Sequence, residues 1–238
     1  MKAVILCAGH GTRLRPLTHY VSKAMVPVAG MPILEHIVRR LVQQGFEEQI
    51  VALSVFSEQV RHYFRDGSQW GAQIEYSINT EPSGTGGEIA HMRELLAGET
   101  DVLVHYGDIL SDFDLRGMAS EHVANEAALT IGLVTGIEIH AGVADVEADG
   151  RVSRFVEKPP LDTPTNAAIF VLGREAIERC GPGLDFSHDI FPAMIAAGQA
   201  VRGFVDHDAY WLDVGRLSDL DKANKFFGGT EDEHSDRR

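Results

Sequence analysis

Cysteine is scarce in this sequence. Cys7 and Cys180 are the only cysteines among 238 residues, and they show no pairing pattern. No stretch after Met1 is typical of a signal peptide, so we expect both thiols to be free in a reducing cytoplasm. The 11 histidines are scattered without the spacing of zinc ligands, which argues against a structural zinc site.

Long hydrophobic runs and an excess of basic residues are also missing. No window approaches about 18 consecutive apolar residues, so we expect no membrane span. Lys and Arg number 21 against 35 Asp and Glu, and the net charge of -14 argues against a nucleic-acid-binding surface. With 44% hydrophobic residues the composition is that of a globular protein. We predict one continuous domain at residues 1–228 and a polar, disordered tail at residues 229–238.

The start of the chain is positively charged, although the chain as a whole is acidic. The first 34 residues contain Lys and Arg but no Asp or Glu. A short apolar run at residues 3–6 is typical of a buried strand, and it leads into a loop that contains Gly9 and Gly11. Glycines let backbone N–H groups approach a ligand closely, and Arg13 and Arg15 follow at once. This stretch therefore predicts a phosphate site.

Two familiar phosphate-binding patterns do not account for this loop. The dinucleotide fingerprint needs a third glycine for helix–strand packing, and Leu14 follows Gly9 and Gly11 where that glycine would stand. The Walker pattern needs Gly-Lys-Ser/Thr, a tripeptide that this chain lacks. A glycine-rich turn with solvated arginines remains the alternative for the isolated stretch.

Hydrophobic periodicity predicts alternating strands and helices in the first half and a strand-rich second half. Strands are expected at residues 3–6, 50–55, 73–78, 101–105, 127–135, 142–146, 152–156, 166–172, 201–205 and 210–214. Helices are expected at residues 32–44, 57–64, 88–96, 115–123, 174–180, 189–197 and 217–227. The alternation implies an α/β fold with parallel strands, helices on both faces and a small β-rich extension. Both glycine-rich loops and Asp108 follow strands, so we expect them to meet at the carboxyl ends of the sheet.

Several motifs occur in a fixed order along nearly the whole chain. They are GHGTRLRPLT at residues 9–18, Lys23 before MVPV at residues 25–28, EPSGTGG at residues 81–87, GD at residues 107–108, FVEKP at residues 155–159 and WLDVG at residues 211–215. Together they resemble the sugar-1-phosphate nucleotidylyltransferases, also called NDP-sugar pyrophosphorylases. The resemblance implies a Rossmann-like, mixed but mostly parallel sheet of the nucleotide-diphospho-sugar transferase type.

The reaction implied by the resemblance is attack of a sugar-1-phosphate oxygen on the α-phosphorus of a nucleoside triphosphate, with release of diphosphate. A phosphate monoester is already largely dianionic at neutral pH because its second pKa is about 6, so no strong general base is needed. The demand is electrostatic: two polyanions must be brought together. By resemblance, the catalytic residues are Arg13, Lys23, Asp108, Lys158 and Asp213.

A Mg²⁺ cofactor is also implied, because hard carboxylate oxygens suit this ion. By resemblance Asp108 and Asp213 are its ligands; the alternatives are an Asx turn after Gly107 and a helix-capping role for Asp213. The implied nucleotide-binding residues are Leu6, Ala8, Gly9, Gly11, Thr12, Arg13, Glu81, Gly84, Thr85 and Gly107. The implied sugar-phosphate-binding residues are Glu157, Lys158 and Asn166, although a simple ion pair between Glu157 and Lys158 is the alternative for the first of them.

The chain departs from the family pattern at several positions. Ser22 stands where the family has proline before the lysine, and Ala168 stands where a glycine is usual after Asn166 and Ala167. An added methyl at Ala168 could reshape the sugar pocket.

The runs at residues 107–115 and 25–28 look most like those of mannose-1-phosphate or heptose-1-phosphate guanylyltransferases. Uridylyl-, thymidylyl- and cytidylyltransferases that act on another sugar phosphate or on phosphocholine remain alternatives. A non-catalytic nucleotide-sugar sensor is less favoured, since such proteins usually lose the arginine or an aspartate of the site. Few residues follow Asp213, so we expect a catalytic core alone. We expect it to be cytoplasmic and to bind a nucleoside triphosphate and a sugar 1-phosphate. A homodimer is possible.

Overall fold

A seven-stranded sheet lies at the centre of the molecule. The structure, a computed structural model, describes residues 1–138 and 141–229. The strands are β1 (Lys2–Leu6), β2 (Pro27–Val28), β3 (Met31–Pro32), β4 (Glu48–Leu53), β5 (Gln73–Ile78), β6 (Asp101–Tyr106), β7 (Ile109–Ser111), β8 (Leu129–Val134), β9 (Ile137–Glu138), β10 (Gly142–Val146), β11 (Val152–Glu157), β12 (Pro160–Leu161), β13 (Thr165–Gly173), β14 (Val201–Asp206) and β15 (Trp211–Asp213). The α-helices are α1 (Ile33–Gln43), α2 (Ser57–Phe64), α3 (Thr85–His91), α4 (Leu115–Ala124), α5 (Arg174–Arg179), α6 (Phe191–Ala196) and α7 (Leu217–Gly228).

The order of strands across the sheet is β14-β8-β13-β6-β1-β4-β5. Strand β1 is parallel to β4 and β6, β4 is parallel to β5, and β8 is parallel to β14. Strand β13 is antiparallel to both of its neighbours, β6 and β8. The predicted mixed, mostly parallel sheet is therefore confirmed. The β10–β11 hairpin and the short β9–β12 pair lie outside this sheet and form the β-rich extension.

Helices cover both faces of the sheet, as predicted. Within β1, Val4 belongs to a core shared with α3, α5 and α6, whereas Ala3 and Ile5 belong to a core shared with α1, α2, α4 and α7. All three side chains are fully buried. A parallel strand buried on both faces is apolar at every position, which explains the continuous apolar run at the start of the chain.

Two predicted helices differ from the observed ones by two residues or more at one end or both. The helix predicted at residues 88–96 is α3, which begins at Thr85 because Gly84, at φ 74° and ψ 165°, turns the chain directly into it. The helix predicted at residues 189–197 begins at Phe191 and follows one π-helical turn at Phe186–Ile190. The predicted tail falls outside the described residues from residue 230 onward. Within the described residues, no helix is long and apolar enough to cross a bilayer.

A buried carboxylate joins α1 to the segment around α2. Glu35 is 4% exposed and accepts hydrogen bonds from Tyr63 Oη at 2.7 Å, Trp70 Nε1 at 3.0 Å and Arg39 Nε at 2.7 Å. Burial opposes ionisation, but these hydrogen bonds outweigh it and lower the pKa of Glu35. The charged form of Glu35 is thus part of the folded structure.

The strand arrangement brings distant loops to one edge of the sheet. Leu6 and Tyr106 are register partners at the carboxyl ends of β1 and β6, so the loops that follow these strands start side by side. Strand β15 pairs with β7 in antiparallel register, with Asp213 opposite Ile109. Val214 N donates to Asp108 O at 2.9 Å, which extends the same ladder by one residue. This small ribbon is what sets the aspartate after β6 beside the aspartate that ends β15.

Candidate functional site

The loop after β1 is held by its own backbone and by the segment that follows it. Gly11 has φ 61°, and Thr18 Oγ1 donates to Gly11 O at 2.7 Å. A Cβ on Gly11 would lie 3.0 Å from both Lys23 Cβ and Thr18 Cγ2, so a larger residue would press on the lysine. In the short turn Thr12–Leu14, Leu14 is fully buried while Arg13 is exposed. Burial of the leucine fixes the turn and leaves the guanidinium free to face a ligand.

Gly107 permits close approach of the β1 and β6 loops. Its N–H donates to Leu6 O at 2.9 Å. A Cβ at this position would overlap Cys7 Sγ and lie 2.9 Å from Leu6 O, so no side chain fits there. Burial, and next the negative charge of Asp108, raise the pKa of the Cys7 thiol to about 12. Cys7 therefore stays protonated, which excludes a thiolate role for it at neutral pH.

Lys23 and Asp108 form the central ion pair of this edge. Lys23 Nζ lies 2.5 Å from Asp108 Oδ2, and the two side chains are 12% and 25% exposed. The lysine comes from the short turn Lys23–Met25 and the aspartate directly follows Gly107, so the pair links the two loops. The Lys23 ammonium is thus fixed between the two loops, where the Asp108 carboxylate balances its charge.

Asp213 completes a pair of neighbouring carboxylates. Burial, and next the negative charge of Asp108, raise the pKa of Asp213, while Lys23 and Arg13 act in the opposite direction. Its Oδ1 is buried and has no hydrogen-bond partner within the described residues. A Cβ on Gly215 would lie 3.0 Å from that oxygen and 3.3 Å from Arg13 Nη2. The missing side chain of Gly215 lets the guanidinium and the carboxylate approach the same stretch of backbone.

These groups line two adjoining cavities. The smaller cavity, of about 220 Å³, is lined by backbone and side chains of both loops: Leu6, Cys7, Gly9, Gly11, Thr12, Arg13, Lys23, Ala24, Gly107, Asp108 and Gly215. The larger cavity, of about 510 Å³, contains Asp213 and lies between β15, α7 and the segment after β8. Arg13 lines both cavities. The arginine therefore stands at the boundary between a narrow cleft and a wider one.

The aspartate pair has the chemistry of a magnesium site. Magnesium in proteins is commonly held by one or two carboxylates together with substrate phosphates and water, rather than by a full set of protein ligands. Asp213 Oδ1 is a buried acceptor without a donor, the kind of atom that a bound cation satisfies. Asp108 is close enough to Asp213 to raise its pKa. The donor set therefore fits the ion that the resemblance implies.

The second glycine-rich loop is tied to the segment before α6. Thr85 Oγ1 donates to Asp185 Oδ2 at 2.8 Å and accepts from Phe186 N at 2.9 Å. Gly84 packs so closely that a Cβ would lie 2.5 Å from Leu184 O. Glu81 is exposed, with its N–H bonded to a side chain in the loop. The Thr85 hydroxyl is thus engaged within the protein, which leaves backbone and exposed groups of this loop to meet a ligand.

Comparison with known proteins agrees with this geometry. The sequence model of the family described as Nucleotidyl transferase matches residues 2–229. The chain belongs to the nucleotidyl transferase family. Among the curated relatives of this nucleotidyl transferase, a mannose-1-phosphate guanylyltransferase of Mycobacterium tuberculosis is 39% identical over 225 residues, covering 92% of this chain and 62% of the relative. A UTP–glucose-1-phosphate uridylyltransferase of Synechocystis sp. is 32% identical over 238 residues, covering 92% of this chain and 61% of the relative.

The chain spans 61–62% of the length of these two relatives. Among solved structures, HddC from Yersinia pseudotuberculosis complexed with GMP-PN has a TM-score of 0.76 at 26% identity and covers 95% of this chain and 99% of that chain. The predicted resemblance to sugar-phosphate nucleotidyltransferases is therefore confirmed at the level of family and fold.

The structure of this nucleotidyl transferase brings some of the predicted site residues together and leaves others apart. The predicted site residues that line one of the two cavities are Leu6, Gly9, Gly11, Thr12, Arg13, Lys23, Gly107, Asp108 and Asp213. Ala8 lies in the same loop. Glu157 and Lys158 end the β10–β11 hairpin, and both are exposed. Within the described residues no ion pair joins these two side chains, and none joins Lys158 to either aspartate.

Asn166 lies on β13 at an irregularity of the sheet. Its side chain accepts from Ala168 N at 2.9 Å and donates to Ser187 Oγ at 3.5 Å. The register between β13 and β8 shifts between Asn166 and Phe170, and Ala168 adopts φ 57° within that shift. The alanine that replaces the family's usual glycine therefore occupies a left-handed conformation that favours glycine.

Sequence reasoning gave no role to two residues that shape the site. Asp185 holds Thr85 although 100 positions separate them, and no local pattern marks such a pair. Trp211 Nε1 donates to Ala167 O at 2.9 Å and so ties β15 to the irregular part of β13. The WLDVG motif contains this tryptophan, but its partner is a backbone carbonyl, which has no sequence signature.

Proposed function

We propose that this chain transfers a nucleotidyl group from a nucleoside triphosphate to a sugar 1-phosphate, giving an NDP-sugar and diphosphate. The observation that carries the proposal is the convergence of Arg13, Lys23, Asp108 and Asp213 at the carboxyl ends of β1, β6 and β15. Cations and a carboxylate pair at one cleft are what two phosphorylated substrates require.

Lys23 is the proposed contact to the α-phosphate, because its ammonium is fixed by Asp108 at 2.5 Å at the base of the smaller cavity. The planar guanidinium of Arg13 can donate two parallel hydrogen bonds to phosphate oxygens of the leaving diphosphate. The glycine loop supplies backbone N–H groups for the same anion. Each of these groups acts by position and charge, and none has to transfer a proton.

Asp108 and Asp213 are the proposed ligands of Mg²⁺. An ion held there supplies positive charge to both phosphate groups as they meet. The unpartnered, buried Oδ1 of Asp213 supports this role. The raised pKa of Asp213 adds to the support, because a cation would remove the repulsion from Asp108 that helps to raise it.

Lys158, Glu157 and Asn166 are proposed to hold the sugar phosphate. Their support is the family motif rather than contact with the aspartates, since the first two lie exposed at the end of the β10–β11 hairpin. Lys158 has φ 49°, a left-handed conformation in which the chain turns sharply after β11.

A guanylyltransferase acting on mannose 1-phosphate or heptose 1-phosphate is the proposed specificity. The M. tuberculosis relative is named a mannose-1-phosphate guanylyltransferase, and HddC was solved with GMP-PN. The Synechocystis relative, named a uridylyltransferase, supports the second candidate, uridylyl transfer. In either case the loop with Glu81, Gly84 and Thr85 is the proposed base-binding element. A cytoplasmic location and a homodimer remain predictions.

A panel of nucleoside triphosphates against sugar 1-phosphates and phosphocholine tests the proposal, with diphosphate release as the measurement. We expect the fastest turnover with GTP and mannose or heptose 1-phosphate in the presence of Mg²⁺. Preference for UTP would favour the second candidate. Tight binding of a nucleotide sugar with no turnover of any pair would refute the enzyme and favour a sensor.

A further inference from the structure

The larger cavity has a charge pattern that the proposed reaction leaves unexplained. Arg13 lies at one end of it, and Arg216 and Lys222 also line it. Arg216 follows Gly215, the residue whose missing side chain admits the Arg13 guanidinium. The two arginines therefore flank one short stretch of backbone between β15 and α7. Neither forms an ion pair with another described residue.

Cationic side chains outnumber carboxylates in the same cavity, with Arg13, Arg216 and Lys222 against Asp213 and Asp219. Asp219 Oδ2 accepts from Arg216 N at 3.0 Å and so caps the first turn of α7. Asp213 is the proposed ligand of Mg²⁺, which would take up its charge. An anion that enters the cavity thus meets an excess of positive charge that includes two guanidinium groups. Guanidinium forks bind phosphate oxygens in pairs, so a phosphorylated species is the ligand that this chemistry favours.

We propose that the larger cavity is the subsite through which diphosphate leaves, with Arg216 as its outer binding residue; the inference rests on the proposed function. When a sugar-phosphate oxygen attacks the α-phosphorus, a new P–O bond forms. The bond to the bridging oxygen of the β-phosphate breaks, and that oxygen keeps the electron pair. Diphosphate departs on the side opposite to attack. Arg13 lines both cavities, so it can hold diphosphate in the narrow cleft and pass it to Arg216 in the wide one.

Helix α7 offers a matched control. Lys222 and Lys225 are both exposed lysines of this helix, but only Lys222 lines the cavity. If charge in the cavity matters, Lys222→Gln should weaken diphosphate binding and Lys225→Gln should not. Arg216→Lys keeps the positive charge but loses the fork, so it separates general attraction from paired hydrogen bonding.

The first measurement is calorimetric binding of inorganic diphosphate to the whole chain, with and without Mg²⁺. We expect Arg216→Gln to raise the dissociation constant about tenfold, the size of one charge-assisted hydrogen bond. We expect Arg216→Lys to be intermediate and Lys225→Gln to match the wild type. Equal binding by Arg216→Gln and the wild type would overturn the inference. So would failure of the wild type to bind diphosphate.

The second measurement is the reverse reaction, NDP-sugar plus diphosphate. Arg216→Gln should raise KM for diphosphate about tenfold and leave KM for the NDP-sugar unchanged. A parallel rise in both constants would contradict a diphosphate subsite. If no substrate pair turns over at all, the proposed function fails, and the calorimetric result still decides whether the cavity binds diphosphate.

Discussion

Replacing Asp213 by asparagine should stabilise the metal-free protein while it abolishes turnover. The Oδ1 atom of Asp213 is buried without a hydrogen-bond partner, and Asp108 lies close enough to raise its pKa. An unsatisfied buried polar group costs about 1–3 kcal/mol, and a neutral amide removes the part of this penalty that is due to charge. We therefore expect the variant to be more stable by about 1–2 kcal/mol. For a domain of this size, each kcal/mol corresponds to about 2–4 °C in Tm.

Differential scanning calorimetry at pH 7 in EDTA measures the effect, with Asp221→Asn as the control because Asp221 is an exposed aspartate of α7. The control should leave Tm unchanged. Added Mg²⁺ should raise Tm of the wild type but not of Asp213→Asn, since only the wild type keeps both proposed ligands. A variant that melts at or below the wild-type temperature in EDTA would refute the reasoning about the orphaned oxygen.

The effect should also depend on pH in a defined direction. The folded-state pKa of Asp213 is raised above its ordinary value of 3.8, so the unfolded chain loses this proton first as pH rises. The wild type is therefore penalised only once pH passes 3.8, and the penalty is complete above the raised value. The Tm difference between Asp213→Asn and the wild type should grow from pH 4 to pH 7. A difference that shrinks over this range would contradict the assignment.

Other predictions concern stability and the second glycine-rich loop. Glu35→Gln should destabilise the protein by about 2–4 kcal/mol because it weakens three hydrogen bonds to a buried carboxylate. The pKa of Glu35 is lowered in the folded state, so its carboxylate stabilises the protein fully above the ordinary pKa of 4.5. This stabilisation is lost as pH falls through the folded-state pKa. The urea midpoints of the wild type and the variant should therefore converge in acid. Ala168→Gly should relieve the strain at φ 57° and raise Tm by a few degrees, about 1 kcal/mol. Gly84→Ala should destabilise by about 2 kcal/mol or more and weaken nucleotide binding, because its Cβ would lie 2.5 Å from Leu184 O at φ 74°.

Two further variants serve as controls. Glu58→Gln on α2 changes an exposed carboxylate whose ion pair with Arg61 lies at the surface, so it should shift the urea midpoint far less than Glu35→Gln does. Gly98, which also has positive φ but has no atoms within 4 Å of a built Cβ, separates backbone strain from the clash at Gly84. Equal losses for Gly98→Ala and Gly84→Ala would show that the clash is unimportant. A lower Tm for Ala168→Gly would show that the alanine is not strained.

The sequence predicted the strands that are buried on both faces well. Residues 3–6 form a short apolar run, and residues 102–104 form another between Asp101 and His105. They lie in β1 and β6, whose bounds are within one residue of those predicted. The helix after the second glycine-rich loop was placed three residues too late. Its start depends on Gly84 packing against Leu184, a contact between segments 100 residues apart.

The glycine-rich, cationic character of the loop after β1 was also readable from the chain, because it depends on local features: glycines, arginines and an absence of acidic residues in one stretch. The two carboxylates that meet there could be named only from the family resemblance, and not from their local sequence patterns. Asp108 and Asp213 become neighbours only because β15 pairs with β7, and their sequence patterns fit turns or helix caps equally well.

Local composition thus determined by itself where the strands of the central sheet lie and which loop combines glycines with arginines, because both follow from the chemistry of adjacent residues. The tertiary structure alone decided that the two aspartates share one edge, that Oδ1 of Asp213 is left without a donor, and that Arg13 and Arg216 flank one cavity. These features depend on backbone hydrogen bonds between β7 and β15. Almost any residue can form such bonds whatever its side chain, so the sequence does not mark them.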